Sequence, residues 1–397
     1  MSRSIVDVAI IGAGPYGLSL AAHLGQTRRS FRIFGEPMRS WTHHMPQGMS
    51  LKSEGFASNL VDPEGKFPLK AYCAEKGIAY ADVAVPVRLE TFVGYGLEFQ
   101  KRHVPTLENT QVVSVVKGTD HFILKTANGE TAEARAVVVA AGIMHFSYMP
   151  PAFASAGPLI SHSAQHSDLS KFKGQRVGVI GGGASAIDTA VILLDHGAKA
   201  ELIARTPTLL FHDPPVEPRS LWARIKAPRS GLGTGWRSRL CTDAPMVFYS
   251  LPEKLRHRAV ARHLGPAPCW FTRDAVIGRL PLHLGATVVD VKPKSNSIVV
   301  SFTTEMDGAK SLEFDHLIAA TGYKVSLDRL TFLDGTLRSR IRSAAKTPVL
   351  DRQFESSVPG LFFIGVTAAN NFGPMLRFGY GAGYAAKRLS KRLANGA

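Results

Sequence analysis

Two glycine-rich turns, each placed between an apolar strand pattern and a helical pattern, constrain the fold of this chain more than any other feature. The first turn occupies 12–17 and the second occupies 181–186. In both copies another strand pattern ends 24 residues after the first glycine of the turn, at Glu36 and at Arg205. The sequence therefore contains one strand–turn–helix–strand unit twice.

The first turn has the residues that a phosphate-binding turn requires. Gly12 permits the tight turn, Gly14 leaves room for a pyrophosphate beside backbone N–H groups, and Gly17 lets the helix pack closely on the strand. The helix N-terminus adds partial positive charge. Glu36 can accept hydrogen bonds from both ribose hydroxyls and would repel a 2′-phosphate, with a surface carboxylate as the alternative. This unit is predicted to bind FAD or NAD rather than NADP.

The second turn keeps Gly181 and Gly183 but has Ala186 in place of the third glycine, a variant that suits a slightly larger distance between helix and strand. Arg205 stands where the first unit has an acid. A guanidinium can pair with a 2′-phosphate through two hydrogen bonds, which favours NADPH over NADH. A surface arginine without a ligand is the alternative. Together the units predict an α/β fold with two Rossmann-type dinucleotide-binding domains.

The rest of the chain fits around these two units. Alternating apolar patterns predict an antiparallel meander after each unit, and the meanders end on small-residue turns at Gly142 and Gly322. The last strand of the second meander is predicted at 317–320. Residues 211–284 are rich in Pro, Gly, Arg and Trp and are interpreted as an insertion that covers the site. We expect an FAD domain made of 1–155 and 323–397, and an NADPH domain at 156–322.

The C-terminal segment is predicted to contain a buried strand at 360–365 and a helix that begins at Gly373-Pro374 and runs to Leu393. Proline suits the first turn of a helix because its missing N–H would be unpaired there. Such a helix start, aimed at a flavin, would stabilise negative charge on the reduced ring. Gly379, Gly381 and Gly383 predict close packing of this helix, and we expect it to pack against the first unit.

Composition excludes several classes of function. The chain has 47 Lys and Arg against 31 Asp and Glu, a net charge of +16, but the basic residues are scattered and form no long run, which argues against nucleic acid. The alternative is a solvated basic face that attracts anionic small molecules. Cys73, Cys241 and Cys269 are far apart, so neither a disulfide framework nor a redox-active pair is expected.

The remaining general features predict a cytoplasmic protein. No apolar stretch reaches the ~18 residues of a membrane span. Met1–Ser4 leads directly into a strand pattern without a signal-peptide cleavage site. No histidine spacing indicates a metal site.

On these motifs the chain resembles the flavoproteins with two dinucleotide-binding domains (glutathione-reductase-like), and within them a divergent bacterial branch of the flavin-containing monooxygenase-like (class B) group. The resemblance rests on both glycine turns, the Ala141-Gly142 turn, Ala320-Thr-Gly-Tyr323 and Gly360-Leu-Phe-Phe-Ile-Gly365. It implies an oxidoreductase that uses NADPH to reduce FAD, forms a C4a-hydroperoxyflavin and oxygenates a small organic substrate. Around Gly157 the chain departs from the group's usual fingerprint: His162 is kept, and His166 replaces an aromatic residue.

The resemblance also implies site residues. Asn59, Asn371 and Lys52 are the candidate catalytic residues, because the first two would donate hydrogen bonds and the third belongs to the segment that resembles the one beside the flavin ring. Candidate cofactor-binding residues, besides the glycine turns, Glu36, Ala186 and Arg205, are Pro15, Trp41, Leu51, Val112, Gly142, Ser185, Gly365 and Gly373. Two alternatives stay open: an NADPH-dependent reductase that passes electrons to a quinone or small redox protein, and a dinucleotide-binding sensor without turnover. Substrate identity and oligomeric state are not predicted.

Overall fold

The computed structural model describes residues 5–215, 217–263, 267–305 and 308–396. The N-terminal tetrapeptide, on which the expectation of no signal peptide rests, lies outside the described residues. So do residue 216 and residues 264–266 of the predicted insertion. Within the described ranges, no helix is both long enough and apolar enough to cross a membrane.

The strands are β1 (Val6–Ile11), β2 (Phe31–Phe34), β3 (Val112–Lys117), β4 (Phe122–Thr126), β5 (Thr131–Val139), β6 (Ile160–His162), β7 (Arg176–Ile180), β8 (Lys199–Ile203), β9 (Arg229–Ser230), β10 (Gly233–Thr234), β11 (Leu282–His283), β12 (Thr287–Pro293), β13 (Ile298–Thr304), β14 (Gly308–Phe314), β15 (His316–Ala319), β16 (Ser343–Ala344), β17 (Thr347–Pro348) and β18 (Leu361–Phe363).

The α-helices are α1 (Pro15–Leu24), α2 (Arg39–His43), α3 (Leu69–Lys76), α4 (Leu89–His103), α5 (Ala184–Asp195), α6 (Leu221–Lys226), α7 (Trp236–Asp243), α8 (Pro245–Ser250), α9 (Glu253–Arg262), α10 (Trp270–Val276), α11 (Gly335–Ser339), α12 (Ala369–Phe372) and α13 (Ala382–Ala394).

The first sheet combines parallel and antiparallel strands around β1 and β5. Strand β1 pairs in parallel with β2 on one side and with β5 on the other. The far side of β5 pairs antiparallel with β4 at 131–134 and parallel with β18 at 137–139. The inner strands are continuous β-branched and alanine runs because both of their faces are covered. The C-terminal strand is buried, as its apolar pattern predicts, and it pairs with the sheet of the first glycine unit.

The second sheet is parallel throughout, in the order β11-β8-β7-β15-β6. Helix α5 follows β7 and packs on this sheet through buried residues such as Ile187 and Leu193. A separate antiparallel meander, β12-β13-β14, packs against the other face of the sheet through Phe302 and Phe314. The fold class predicted from the two glycine units, α/β with two Rossmann-type sheets, is confirmed.

Two local predictions are wrong. The third strand of the second meander is β14, whereas the predicted segment 317–320 falls in β15, which belongs to the parallel sheet. Strand β14 has mostly exposed side chains, so it lacks the apolar pattern that identifies a strand. The terminal helix begins at Ala382 and not at Pro374, because 3₁₀ turns at 374–377 and 379–381 precede it.

The glycines of the C-terminal segment pack closely, as predicted, at two of three positions. A Cβ on Gly381 would collide with the Tyr16 hydroxyl at the start of α1, and a Cβ on Gly383 would lie 2.9 Å from Val61. A Cβ on Gly379 would meet nothing within 4 Å. Helix α13 thus packs along α1 and brings the C-terminus of the chain onto the first glycine unit.

Candidate functional site

The first glycine turn is built so that its backbone faces open space. Gly12 has a φ of +112°, and a Cβ there would collide with the Ala140 carbonyl oxygen of the neighbouring strand. A Cβ on Gly17 would collide with the Gly12 carbonyl oxygen, so the helix crosses the turn at the closest possible distance. By contrast, a Cβ on Gly14 would meet nothing within 4 Å. The space beside Gly14 is therefore free for a ligand to approach the backbone.

The N-terminus of α1 is not capped by any side chain, and Pro15 occupies its first turn. Its unpaired backbone N–H groups can therefore bind an anion such as a pyrophosphate. Glu36 follows β2 and lies close to this turn. The preceding Gly35 shows the proximity, since a Cβ on it would lie 3.2 Å from the Ala13 nitrogen. The uncapped N-terminus of α1 fits the pyrophosphate of a dinucleotide, and the position of Glu36 fits its ribose.

Glu36 is held by two neighbours on the same segment. Its carboxylate accepts a hydrogen bond of 2.7 Å from Arg39 and one of 2.5 Å from His43. Burial opposes ionisation of Glu36, but the hydrogen bonds and charges of His43 and Arg39 outweigh it and lower its pKa. The carboxylate is therefore ionised and 28% exposed, as a ribose acceptor must be.

The second glycine turn repeats the first. Gly181 has a φ of +146°, and a Cβ there would lie 2.5 Å from the Ala320 carbonyl oxygen, while a Cβ on Gly183 would meet nothing within 4 Å. The Ala186 methyl group lies 3.3 Å from the Cβ position of Gly181, so it stands directly beside the glycine that opens the turn. Gly183 and Ser185 are exposed, and α5 has no side-chain cap.

Arg205 follows β8 at the edge of this second turn and is exposed. Within the part of the chain that the structure describes, its guanidinium makes no ion pair or side-chain hydrogen bond. Thr206 lies beside the turn, since its methyl carbon is 2.8 Å from the Cβ position of Gly182. An unpaired guanidinium next to an open glycine turn fits a ligand with an additional phosphate.

Lys52, predicted as catalytic, forms a buried ion pair. Its ammonium lies 2.7 Å from the carboxylate of Asp188 on α5 and also donates to the Ser50 carbonyl oxygen at 3.0 Å. The two charged side chains are 8% and 6% exposed. Phe271 lies under the ammonium at 5.3 Å. Burial raises the pKa of Asp188, and the Lys52 charge counteracts this.

Trp41, Leu51 and Asn59, which are predicted beside the flavin, lie on α2 and in the segment that follows it. Trp41 on α2 packs edge-on against Phe92 at 4.8 Å, and Leu51 is buried. The Asn59 amide is used within the loop: it donates to the Phe56 carbonyl oxygen and accepts from the N–H of Leu69. Val112 begins β3 and is buried.

Asn371, the other predicted hydrogen-bond donor, is buried with both ends of its amide occupied. It donates to the Pro348 carbonyl oxygen at 2.9 Å and accepts from the N–H of Leu350 at 3.1 Å. Asn370 donates to the Thr347 hydroxyl. These contacts hold the C-terminal segment in place, and the geometry favours a structural role for Asn371.

The remaining predicted glycines lie where the first unit meets the C-terminal segment. Gly142, Gly365 and Gly373 have φ values of +70°, +78° and +103°. The Tyr16 hydroxyl donates to the carbonyl oxygens of Leu376 and Phe378, which ties the first glycine turn to the segment after Gly373.

The inserted helices cover this C-terminal turn. The Phe248 ring on α8 lies 3.3 Å from the Cβ position of Gly373, and Arg256 on α9 donates to the Asn371 carbonyl oxygen at 3.4 Å. Arg377 donates to the carbonyl oxygens of Val260 and His263 at the end of α9. Sequence reasoning missed these half-buried arginines, because no local pattern shows which guanidinium will meet the carbonyl oxygen of a distant segment.

The turn that links the two sheets is fixed by local hydrogen bonds. His162 contacts the Gly322 carbonyl oxygen at 3.1 Å, and its ring packs edge-on against Tyr323 at 5.5 Å. Burial lowers the pKa of His162, although its bond to Gly322 opposes this. Among the described residues, no three His, Cys, Asp or Glu side chains form a metal site. Cys73, Cys241 and Cys269 are all free thiols.

Comparisons with known proteins agree with this architecture. A family model described as pyridine nucleotide-disulphide oxidoreductase matches residues 9–222. The ferredoxin–NADP reductase of Thermus thermophilus is 27% identical over 219 residues, which is 55% of this chain and 58% of the relative. The FAD-dependent urate hydroxylase of Xanthomonas campestris is 27% identical over 339 residues, 80% of this chain and 65% of the relative. The chain thus spans less than two thirds of either relative.

Solved structures share the fold over almost the whole chain. The reduced form of the ornithine hydroxylase PvdA from Pseudomonas aeruginosa superimposes with a TM-score of 0.76 at 17% identity, covering 99% of both chains. The FAD-bound cadaverine monooxygenase DfoA from Erwinia amylovora gives a TM-score of 0.74 at 19% identity, covering 99% of this chain and 95% of DfoA. The predicted resemblance to flavin-containing monooxygenases is confirmed at the level of the fold.

Proposed function

The chain belongs to the pyridine nucleotide-disulphide oxidoreductase family, and within it we propose that the protein is an NADPH- and FAD-dependent monooxygenase that acts on a small organic substrate. When bound, the flavin accepts a hydride from NADPH and activates O₂, so the protein supplies binding, orientation and exclusion of water. Disulfide reduction through a redox-active cysteine pair is disfavoured, because Cys73, Cys241 and Cys269 are all free thiols.

The two glycine turns divide the nucleotides between them in this proposal. The N-terminus of α1, beside Gly14, would bind the FAD pyrophosphate, with Glu36 accepting hydrogen bonds from the ribose. The N-terminus of α5, beside Gly183, would bind the NADPH pyrophosphate, with Arg205 on the 2′-phosphate. Relatives whose names include FAD or NADP support this assignment.

The main observation in favour of a monooxygenase is that the inserted helices α8 and α9 pack over the turn at Gly373. Phe248 and Arg256 lie on this turn, so inserted helices α8 and α9 separate it from solvent. Exclusion of water protects reactive intermediates from hydrolysis and from proton leakage. A reductase that serves a large acceptor needs an open edge instead.

A reductase is the second candidate, because several relatives carry the name ferredoxin–NADP reductase. The rate of NADPH oxidation under air and under argon separates the monooxygenase from the reductase. A parallel reaction under ¹⁸O₂ shows whether a product takes up oxygen from O₂. We expect oxidation that requires O₂, and an amine, thioether, cyclic ketone or N-heterocycle that carries the label. Fast reduction of a quinone or ferredoxin under argon, with no labelled product, would establish the reductase. Binding of both nucleotides without either reaction would establish a sensor.

A further inference from the structure

Helix α6 projects an apolar face into solvent. Leu221 is 75% exposed, Trp222 is 77% exposed and Ile225 is 58% exposed, and no residue of this helix is buried. These positions lie one, three and four residues apart, so they share one side of the helix. Single exposed apolar residues are ordinary on protein surfaces, but a contiguous set marks an interaction site.

A second helix extends this face. The Trp236 indole N–H donates to the Ile225 carbonyl oxygen at 3.0 Å, which places the first residue of α7 beside α6. Trp236 is 63% exposed, and Leu240, one turn later on the same side, is 55% exposed. The tryptophan face is defined here as Leu221, Trp222, Ile225, Trp236 and Leu240.

The segment that carries the tryptophan face is rich in basic residues. Between Arg219 and Arg262 the sequence has ten Lys and Arg residues and two acidic residues. One of the two acids, Asp243, is already paired with Arg239.

Free positive charge borders the face itself. Arg224, Lys226 and Arg237 are exposed, and each lacks an ion-pair partner among the residues that the structure describes. Arg219 donates to the Ala223 and Ala227 carbonyl oxygens, so its guanidinium caps the C-terminal end of α6.

We propose that the tryptophan face docks on the surface of a lipid bilayer that contains anionic phospholipids. Tryptophan and leucine side chains enter the boundary between headgroups and acyl chains, while Lys and Arg remain at the headgroups and are attracted by their negative charge. The Trp236 N–H is already satisfied within the protein, so its ring can enter this boundary without an unpaired donor.

The charge distribution selects this occupant over a second copy of the chain. Two copies that meet through the tryptophan face would bring two cationic surfaces together, and like charges in contact are unfavourable. A bilayer with anionic lipids instead complements both the apolar centre and the basic border. The inference concerns attachment and is independent of the redox chemistry proposed above.

The test uses the full chain with its cofactor and sedimentation of vesicles. We expect binding to vesicles of phosphatidylcholine mixed with phosphatidylglycerol, weak binding to pure phosphatidylcholine, and loss of binding as salt is raised. Tryptophan emission should shift to shorter wavelength on binding. Equal binding to both vesicle types, or no binding to either, would overturn the proposal.

Variants assign the binding to the face. Trp222→Ser with Ile225→Ser should weaken vesicle binding by about tenfold or more, because the apolar contribution is removed. Arg224→Gln with Lys226→Gln should weaken binding to anionic vesicles only. All four side chains are exposed, so the thermal unfolding temperature and NADPH oxidation should remain unchanged.

Matched controls lie on other surfaces. Val289→Ser replaces an apolar residue that is 62% exposed on β12, and Lys70→Gln with Lys101→Gln removes two exposed charges from α3 and α4. These variants should bind vesicles as the unchanged protein does. A concentration-dependent dimer that Trp222→Ser abolishes, without vesicle binding, would show that the face joins two copies and would overturn the proposal.

Discussion

The Lys52 ammonium lies 2.7 Å from the Asp188 carboxylate, and this buried pair joins the loop after the first glycine unit to the helix that begins at the second. The two residues are 136 positions apart in the chain. Cys269, from the inserted segment, approaches the Lys52 carbonyl oxygen at 3.9 Å, and burial raises the pKa of its thiol to about 11. Three parts of the chain therefore meet at one ion pair.

Removal of either partner should destabilise the protein. Lys52→Met leaves the Asp188 carboxylate unpaired in an apolar site, and Asp188→Leu does the same to the ammonium, at a cost of about 3–5 kcal/mol each. The double variant should cost less than the sum of the two, which unfolding in urea measures as a double-mutant cycle. The exposed pair of Arg239 and Asp243 is the control, and Arg239→Gln should cost about 1 kcal/mol or less.

The same variants test the orientation of the two units. If the pair orients the two nucleotide units, the conservative variant Lys52→Arg should retain most of the rate of flavin reduction by NADPH, and Lys52→Met should lower it. Bound FAD should stay stoichiometric in both. A Lys52→Met protein that is destabilised but reduces its flavin at the normal rate would limit the pair to a structural role.

Gly14→Ala separates folding from nucleotide binding. The backbone at Gly14, with φ of −85°, suits alanine, and the added methyl group meets no protein atom within 4 Å. Stability should therefore change by less than about 1 kcal/mol, while FAD content falls because the methyl group occupies the pyrophosphate's space. Gly335→Ala, at the exposed first position of α11, is the control for bound flavin, because its backbone is not left-handed and an added methyl group there meets no protein atom within 4 Å. Full flavin content in Gly14→Ala would contradict the assignment.

Arg205→Ala should raise the KM for NADPH and leave that for NADH almost unchanged. A charge-assisted contact with the 2′-phosphate contributes about 1.5–3 kcal/mol, or roughly 10- to 150-fold. Steady-state kinetics with both coenzymes measure the change. Lys199→Ala, an exposed charge at the other end of the same strand, is the control. An equal effect on NADPH and NADH would show that Arg205 does not read the phosphate.

Two histidines should make stability depend on pH. The Ser161 hydroxyl contacts the Nε2 atoms of His166 and His316 at 2.6 and 2.7 Å. Burial, with a smaller effect of Lys171, lowers the pKa of each histidine to about 4. In the unfolded chain these histidines bind protons near pH 6.5. Above that pH both states leave them neutral, so the two histidines add no pH dependence to stability there. Stability should fall between pH 6.5 and 4, by at most about 1.4 kcal/mol per pH unit for each histidine.

The His316→Gln variant tests this pH dependence. Thermal unfolding of this variant should vary less with pH over the range from 6.5 to 4. His196→Gln, which replaces an exposed histidine after α5, should leave the pH dependence unchanged. The same slope in all three proteins would show that other groups cause the acid sensitivity.

Asn371→Ala should act mainly on stability. It removes hydrogen bonds to Pro348 and Leu350 in a buried site, which costs about 1–3 kcal/mol. The amount of H₂O₂ formed per NADPH oxidised should change little at a temperature where the variant is folded. A large rise in H₂O₂ without loss of stability would restore Asn371 as a residue that acts in oxygen chemistry.

The double-unit architecture was predictable because its signal is local. The strand, the glycine turn and the helix start lie within about a dozen residues, and the geometry of Gly12 and Gly181 admits few other residue types. The same holds for β18, whose apolar run identifies a buried strand. Strand β14 escaped prediction because it is held by pairing with β13 and has little buried surface of its own.

The sequence by itself determined the fold class, the two glycine turns and the residues that follow their second strands. Only the tertiary structure decided what Lys52, Asn371 and the inserted helices contact. Their partners lie tens to hundreds of residues away, and no local pattern encodes a pairing whose energy arises from burial. A lysine in a polar loop has the same appearance in sequence whether it faces solvent, a substrate or Asp188. Its environment exists only after the two sheets have packed together.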